Sequence, residues 1–150
     1  RCRIPYRIEK DMILGLWQKF MSNIGENMTC ALLGVPFKAL ADSEHGRALK
    51  MMGMKEVQAV AEKLGIHLTD EMIEMQMNRP ITAPYNRPST LQDLDAGKKT
   101  EIDMFAGTVV RLGKELGVPT PVNEVFLHGI KVLEEKNEGK FKRDPEEKGC

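Results

Sequence analysis

The spacing of apolar residues along the chain predicts helices and no strands. From Glu9 to about Leu33, apolar side chains recur every three or four positions, which is the period of one face of a helix. The same period is found in residues 43–65, which end in a glycine suited to a left-handed helix terminus, and in residues 69–79. The opening residues, RCRIPYRI, are instead typical of an extended segment.

The stretch STLQDLDAGKKTEID, residues 89–103, contains two helix starts in fifteen residues. Ser89 followed by Gln92 has the spacing of a capping box, and Gly97 ends that short helix. Thr100, with Asp103 at the matching third position, predicts the start of the next helix.

That second helix is expected to run from Thr100 to about Leu116, and a last helix from Thr120 to about Glu135. The fold class is therefore all-α, with about six helices in one domain, residues 1–135. Residues 136–150 are charged and poorly periodic, so we expect them to form a loose tail.

Composition excludes several classes of protein. The 22 Lys and Arg residues balance the 22 Asp and Glu residues, so net charge supplies no basic field for nucleic acid or anionic lipid. No apolar run is long enough to cross a membrane, no Gly-x-Gly occurs, and the three histidines form no metal-binding pair. An odd set of three distant cysteines, Cys2, Cys30 and Cys150, fits a reducing cytoplasm better than a disulfide framework.

Three polar residues, Lys19, Asn23 and Asn27, follow one another at steps of four in the first helix. Four residues advance a helix by about 400°, so the three side chains share one slowly drifting stripe. A solvent-facing polar strip explains this pattern, and so does a row of hydrogen bonds for a small oxygen-rich ligand. Apolar neighbours such as Leu16 and Phe20 predict that the helix is largely buried, which favours the ligand, but spacing leaves both interpretations open.

Ser89 and Glu101 allow two interpretations as well. Ser89 would cap a helix through its side-chain oxygen, and Glu101 would sit in a first helical turn where the dipole favours negative charge. Alternatively, a substrate carboxylate would bind at Ser89, while Glu101 accepts hydrogen bonds from substrate hydroxyl groups. Spacing does not separate these interpretations.

Three segments together resemble a known family. WQKFMSNIGENMTCALLG, STLQDLDAGKKTEID and GVPTPVNEV are similar to the C-terminal domain of ketopantoate reductase (2-dehydropantoate 2-reductase), and the resemblance covers about residues 9–135. One departure is Thr90, because the family usually has methionine after its serine. The resemblance implies a helical domain like that of 6-phosphogluconate dehydrogenase, preceded in the family by a Rossmann domain that binds NADP.

The resemblance also implies an activity, which is NADPH-dependent reduction of 2-dehydropantoate to pantoate in coenzyme A biosynthesis. The family's catalytic lysine falls on Lys19 and its glutamate on Glu101, while its substrate-binding residues fall on Asn23, Asn27 and Ser89. The expected partner is a small 2-keto acid, with no nucleic acid and no membrane, and self-association through the helical domain is left open. No metal is expected.

The chain begins with Arg1 and its first methionine is Met12, so we expect it to be part of a protein about twice as long. Without a dinucleotide-binding motif, the chain alone is predicted to be inactive. Two alternatives stay open at this point. One is a relative that reduces another 2-keto acid, and the other is a stand-alone helical module for dimerisation or ligand binding without redox activity.

Overall fold

The computed structural model describes residues 11–141, and these residues form helices, turns and loops without a β-strand. The extended segment and the end of the charged tail predicted from the sequence lie outside the described residues. The helical segments in residues 11–141 are α1 (Met12–Asn23), a π-helical turn (Ile24–Met28), α2 (Thr29–Leu33), α3 (Phe37–Asp42), α4 (Glu44–Lys63), α5 (Asp70–Met77), α6 (Ser89–Asp95), α7 (Ala106–Leu116) and α8 (Pro121–Asn137). The all-α prediction is confirmed.

Two helices start where the sequence predicts, at residues 44 and 70, and the preceding residue caps each of them. The Ser43 hydroxyl accepts a hydrogen bond from the Gly46 amide at 3.1 Å, and the Thr69 hydroxyl accepts one from the Met72 amide at 3.4 Å. Gly65 follows α4 with φ of 75°, a conformation that glycine adopts without steric cost. These ends are set by residues close in sequence.

Helix α4 lies at the centre of the core. It packs against α1, the π-helical turn, α3, α5, α7 and α8. At Gly53 a Cβ atom would come within 2.8 Å of the Phe126 ring, so the missing side chain permits α4 and α8 to approach closely. Fully buried apolar side chains come from α4 itself and from α1, the π-helical turn and α8: Met21, Ile24, Met28, Met54, Val57, Val60, Phe126 and Ile130.

The prediction of a capping box at Ser89 is wrong. Ser89 is the first residue of α6, Pro88 takes the capping position, and no side chain caps the helix. The side-chain amide of Gln92 (Nε2) donates to the Arg87 carbonyl at 2.7 Å and so holds the preceding loop. The Ser89 hydroxyl therefore has no capping function.

The helix predicted to start at Thr100 begins six residues later, at Ala106. Residues 101–105 form turns, because the Thr100 amide and hydroxyl both donate to Glu134 Oε1 of α8, at 2.6 and 2.8 Å. Asp103 pairs with Lys131 of α8 at 2.7 Å instead of capping a helix. Contacts with a distant helix thus override the local helix-start signal, and Glu101 lies in a turn.

Three further elements differ from the prediction. Helix α3 (Phe37–Asp42) was not predicted, because six residues are too few to show a helical period. The first helix was predicted as continuous α-helix, but its middle is π-helical. Helix α8 ends at Asn137, two residues into the predicted tail.

Candidate functional site

The polar stripe of the first helix lines a groove. Lys19, Asn23 and Asn27 all face a space of about 420 Å³, together with Ser22, Gln76 and Arg79 among others. This volume lies within the roughly 300–1,000 Å³ typical of small-molecule sites. The structure therefore brings three of the five candidate residues to one concave surface.

These three side chains have no hydrogen-bond partner elsewhere in residues 11–141. Lys19 is exposed, whereas Asn23 and Asn27 are half-buried. The two lysines that line the neighbouring cavity are both paired, Lys38 with Asp42 at 2.6 Å and Lys50 with Glu26 at 2.8 Å. An amine and two amides with open hydrogen-bonding capacity can bind a ligand rich in oxygen.

The burial predicted for this helix holds only in its second half. Leu16 is 57% exposed and Phe20 is half-buried, whereas Ile24 and Met28 are fully buried. The groove occupies one side of the helix, so the stripe lies at the border between core and solvent.

Asn23 is the last residue of α1, and Asn27 lies within the π-helical turn that follows it. A π-helix has more residues per turn than an α-helix, and such turns occur frequently at functional sites. Gly25 is the second residue of the turn, where a Cβ atom would come within 2.6 Å of the Met54 side chain and 3.1 Å of the Lys50 carbonyl. Close packing against α4 thus requires glycine here.

An ion-pair cluster under the groove was missed by sequence reasoning. Glu26 in the π-helical turn accepts from Lys50 of α4 at 2.8 Å and from Arg79, after α5, at 2.7 Å. Lys50 also donates to the Gln76 carbonyl at 2.8 Å. A signal was present in the sequence, because Lys50 precedes Met54 by one helical step and so belongs to the buried face of α4.

Ser89 and Glu101 line neither this groove nor the larger cavity beside it. Both residues are exposed, and neither side chain bonds to another of the described residues. Their predicted structural functions are absent, since Ser89 caps no helix and Glu101 lies in a turn. Both side chains are therefore available to a ligand.

An aromatic stack joins the segment of Glu101 to the helix of Lys19. Phe20, the neighbour of Lys19, stacks on Phe105 with ring centroids 6.1 Å apart and planes at 19°. Phe105 ends the turn that begins at Glu101. The stack and the Glu134 contacts fix this turn beside α1.

A second cavity, of about 810 Å³, adjoins the groove, because Glu26, Phe37 and Arg79 line both. Its walls come from α3, the start of α4 and the loop of residues 79–86. The lining mixes apolar side chains, such as Leu40 and Ile81, with charged ones. A ligand larger than the groove can extend into this space.

Cys30 is not a nucleophile of the site. Burial raises the pKa of its thiol to about 12, and the nearby Glu26 carboxylate adds to the increase. A thiol with such a pKa is protonated at neutral pH.

Among residues 11–141, no three His, Cys, Asp or Glu side chains are arranged to hold a metal ion. None of the helices in this range is long and apolar enough to cross a membrane.

Solved structures share this arrangement of helices. A PanE/ApbA family ketopantoate reductase from Ralstonia eutropha JMP134 superposes with a TM-score of 0.81 at 32% identity, over 91% of this chain and 46% of that one. D-mandelate dehydrogenase, solved with NADH and anilino(oxo)acetate, gives a TM-score of 0.81 at 25% identity, over 87% of this chain and 55% of that one. The fold is thus the helical domain that these reductases and dehydrogenases have in common.

The family is shown by sequence as well. The model described as "Ketopantoate reductase PanE/ApbA C terminal" matches residues 11–134, and the chain belongs to this family. The 2-dehydropantoate 2-reductase of Pyrobaculum aerophilum is 34% identical over 128 residues, covering 85% of this chain and 46% of the relative. That of Aquifex aeolicus is 34% identical over 137 residues, covering 87% and 44%. The chain therefore spans about half the length of these curated relatives.

Proposed function

We propose that this chain is the catalytic and substrate-binding part of an NADPH-dependent reductase that converts 2-dehydropantoate to pantoate, a step of coenzyme A biosynthesis in the cytoplasm. The observation that carries the proposal is the groove lined by Lys19, Asn23 and Asn27, whose polar groups have no other partner in residues 11–141. Family membership supports the reaction class. Self-association through the helical domain remains a prediction.

Lys19 is the proton donor in this proposal. Reduction of a 2-keto acid adds a hydride to the keto carbon and leaves negative charge on its oxygen. An ammonium group aimed at that oxygen stabilises the developing charge and then supplies the proton as a general acid. Asn23 and Asn27 would hold the substrate beside the amine through hydrogen bonds from their side-chain amides.

Glu101 and Ser89 would complete the substrate site, although neither lines the groove itself. The turn of Glu101 is fixed beside α1 by the Phe20–Phe105 stack, and its exposed carboxylate has no partner among the described residues. Glu101 would accept a hydrogen bond from a substrate hydroxyl or pair with Lys19. Ser89 caps no helix, so its hydroxyl would be free to donate a hydrogen bond to a substrate oxygen.

The nicotinamide cofactor would supply the hydride. Residues 11–141 contain no strand followed by a glycine-rich turn and a helix, which is the usual cradle for a dinucleotide. We therefore assign its binding mainly to a part of the full-length protein outside this chain, and assign this chain the substrate and the proton.

A second candidate substrate is a larger 2-keto acid. The adjoining cavity of about 810 Å³ exceeds what 2-dehydropantoate requires, and Leu40 and Ile81 give it apolar walls. The similar D-mandelate dehydrogenase was solved with anilino(oxo)acetate, a ligand that carries an aromatic ring. Comparing kcat/KM for 2-dehydropantoate and phenylglyoxylate in the full-length enzyme distinguishes the two substrates.

The proposal is tested by Lys19→Ala in the full-length enzyme. General acid catalysis contributes roughly 10²–10⁴-fold, so turnover of 2-dehydropantoate should fall at least about a hundredfold. NADPH affinity should hardly change, because the cofactor is bound mainly outside this chain. Steady-state reduction followed by NADPH absorbance measures the first effect, and fluorescence titration measures the second.

Lys114→Ala is the matched control, because Lys114 is an exposed lysine on α7 that lines neither cavity. It should retain wild-type turnover. If Lys19→Ala keeps turnover close to wild type, Lys19 is not the proton donor. If the wild-type enzyme reduces neither keto acid, the proposed reaction class is wrong.

A further inference from the structure

The ion-pair cluster under the groove has more positive than negative charge. Lys50 and Arg79 share the single carboxylate of Glu26. The Lys50 and Glu26 side chains are only 8% and 12% exposed, so solvent screens this charge less than it would at the surface. Two cations on one anion leave a net charge of +1 next to the groove.

Arg79 is the member of the cluster that remains accessible. Its side chain is 57% exposed, and its one recorded bond to a described residue runs from Nη2 to Glu26 Oε2 at 2.7 Å. A guanidinium group has five N–H donors in a rigid fork. Arg79 therefore keeps donor capacity after pairing with Glu26, and Glu26 limits the positions that the guanidinium can take.

Among the described residues that line the groove, Lys19 and Arg79 are the cations. Lys19 is assigned to the substrate's keto oxygen in the proposed function. A 2-keto acid carries its carboxylate on the adjacent carbon, and this anion needs its own counter-charge once it leaves water. The Ser89 hydroxyl is neutral and cannot supply that charge.

We infer that Arg79 binds the carboxylate of the 2-keto acid substrate, with Glu26 as the positioning residue that holds its guanidinium at the groove. This inference rests on the proposed function. A carboxylate accepts two parallel N–H bonds from a guanidinium fork, which aligns the substrate as well as attracting it. The carboxylate also neutralises the excess positive charge of the cluster.

The experiment compares a charged and an uncharged substrate in the full-length enzyme. Arg79→Met removes the charge and retains much of the side-chain length. With 2-dehydropantoate, KM should rise at least about tenfold, because a hydrogen bond to a charged group is lost. With the carboxamide of the same keto acid, kcat/KM should change by less than about twofold.

Arg79→Lys should fall between wild type and Arg79→Met, since it keeps the charge and loses the fork. Arg111→Met is the matched control: Arg111 is 59% exposed, pairs with Glu115 and lines neither cavity, so neither substrate should be affected.

The outcomes separate this inference from the proposed function. If wild type reduces 2-dehydropantoate while Arg79→Met leaves its KM unchanged, the inference is overturned and the proposed function stands. Equal losses with the acid and the carboxamide indicate a purely structural effect of Arg79 and also overturn the inference. Absence of wild-type turnover overturns both.

Discussion

Replacing Glu56 of α4 should destabilise the fold, because this residue caps the start of α8, which is distant in sequence. Helix α8 begins with Pro121, and its Thr120 cap residue makes no side-chain cap. Glu56 of α4 supplies the missing acceptor, because Oε1 binds the Val122 amide at 2.8 Å and Oε2 binds the Asn123 amide at 2.9 Å. Oε2 also accepts from the Asn123 side chain at 2.7 Å.

Glu56→Ala removes all three bonds. A hydrogen bond to a charged group contributes roughly 1.5–3 kcal/mol net. Because Glu56 is half-buried and partly screened by solvent, we expect the three bonds together to lower the free energy of unfolding by at least about 3 kcal/mol. Part of this loss comes from the favourable interaction between the negative carboxylate and the positive end of the α8 helix dipole. Since domains are stable by only about 5–15 kcal/mol, the effect should be large. Urea unfolding followed by circular dichroism measures it as a lower midpoint at unchanged m.

Glu115→Ala provides the comparison, because the exposed pair of Glu115 with Arg111 should contribute no more than about 0.5 kcal/mol. Glu56→Gln should lie between the two variants, since an amide keeps one acceptor oxygen. A loss below about 1 kcal/mol for Glu56→Ala would refute the view that α4 caps α8.

Two other predictions concern the core. Gly113→Ala should cost about 2 kcal/mol, because the new Cβ would lie 2.7 Å from the Val118 carbonyl oxygen, whereas Gly107→Ala meets only ordinary contacts and should be neutral or slightly stabilising in thermal unfolding. Cys30 should resist alkylation at pH 8 in the native protein and react after denaturation. Peptide mass spectrometry measures the extent of alkylation. Rapid labelling of the native protein would contradict the burial of this thiol. Because folding raises the pKa of this thiol from 9.0 to about 12, its contribution to stability is complete below about pH 9 and declines as pH rises towards 12, a decline that Cys30→Ala should lack.

The sequence predicted those features that neighbouring residues determine. The starts of α4 and α5 were predicted near Ser43 and Thr69, whose hydroxyls cap them through amides three residues away, and Gly65 follows α4 in the conformation that glycine favours. The polar stripe that lines the groove was predicted in the same way, because Lys19 and Asn23 are one helical step apart. Such contacts repeat with the helical period and are visible in one sequence.

The features that distant residues determine were missed. Thr100 has a helix-start pattern, but Glu134, 34 positions away, binds its amide and hydroxyl and holds a turn there. The Glu26 cluster joins residues 24 and 53 positions apart. Helical spacing indicates that Lys50 is buried, but no local pattern identifies its partners. Ser89 and Glu101 were selected from the two predicted helix starts, and the family resemblance then favoured substrate binding. Their contact with a substrate stays a prediction.

Helix α4 sets the spacing between the two halves of the candidate site. Lys50 holds the π-helical turn through Glu26, and Glu56 holds the start of α8, whose Glu134 fixes the turn of Glu101. Six residues separate Lys50 from Glu56, about 9 Å along the helix axis. One inserted or deleted residue between them would rotate one attachment against the other by about 100°. We therefore expect this stretch to accept substitutions at exposed positions and to keep a fixed length among proteins that retain both attachments.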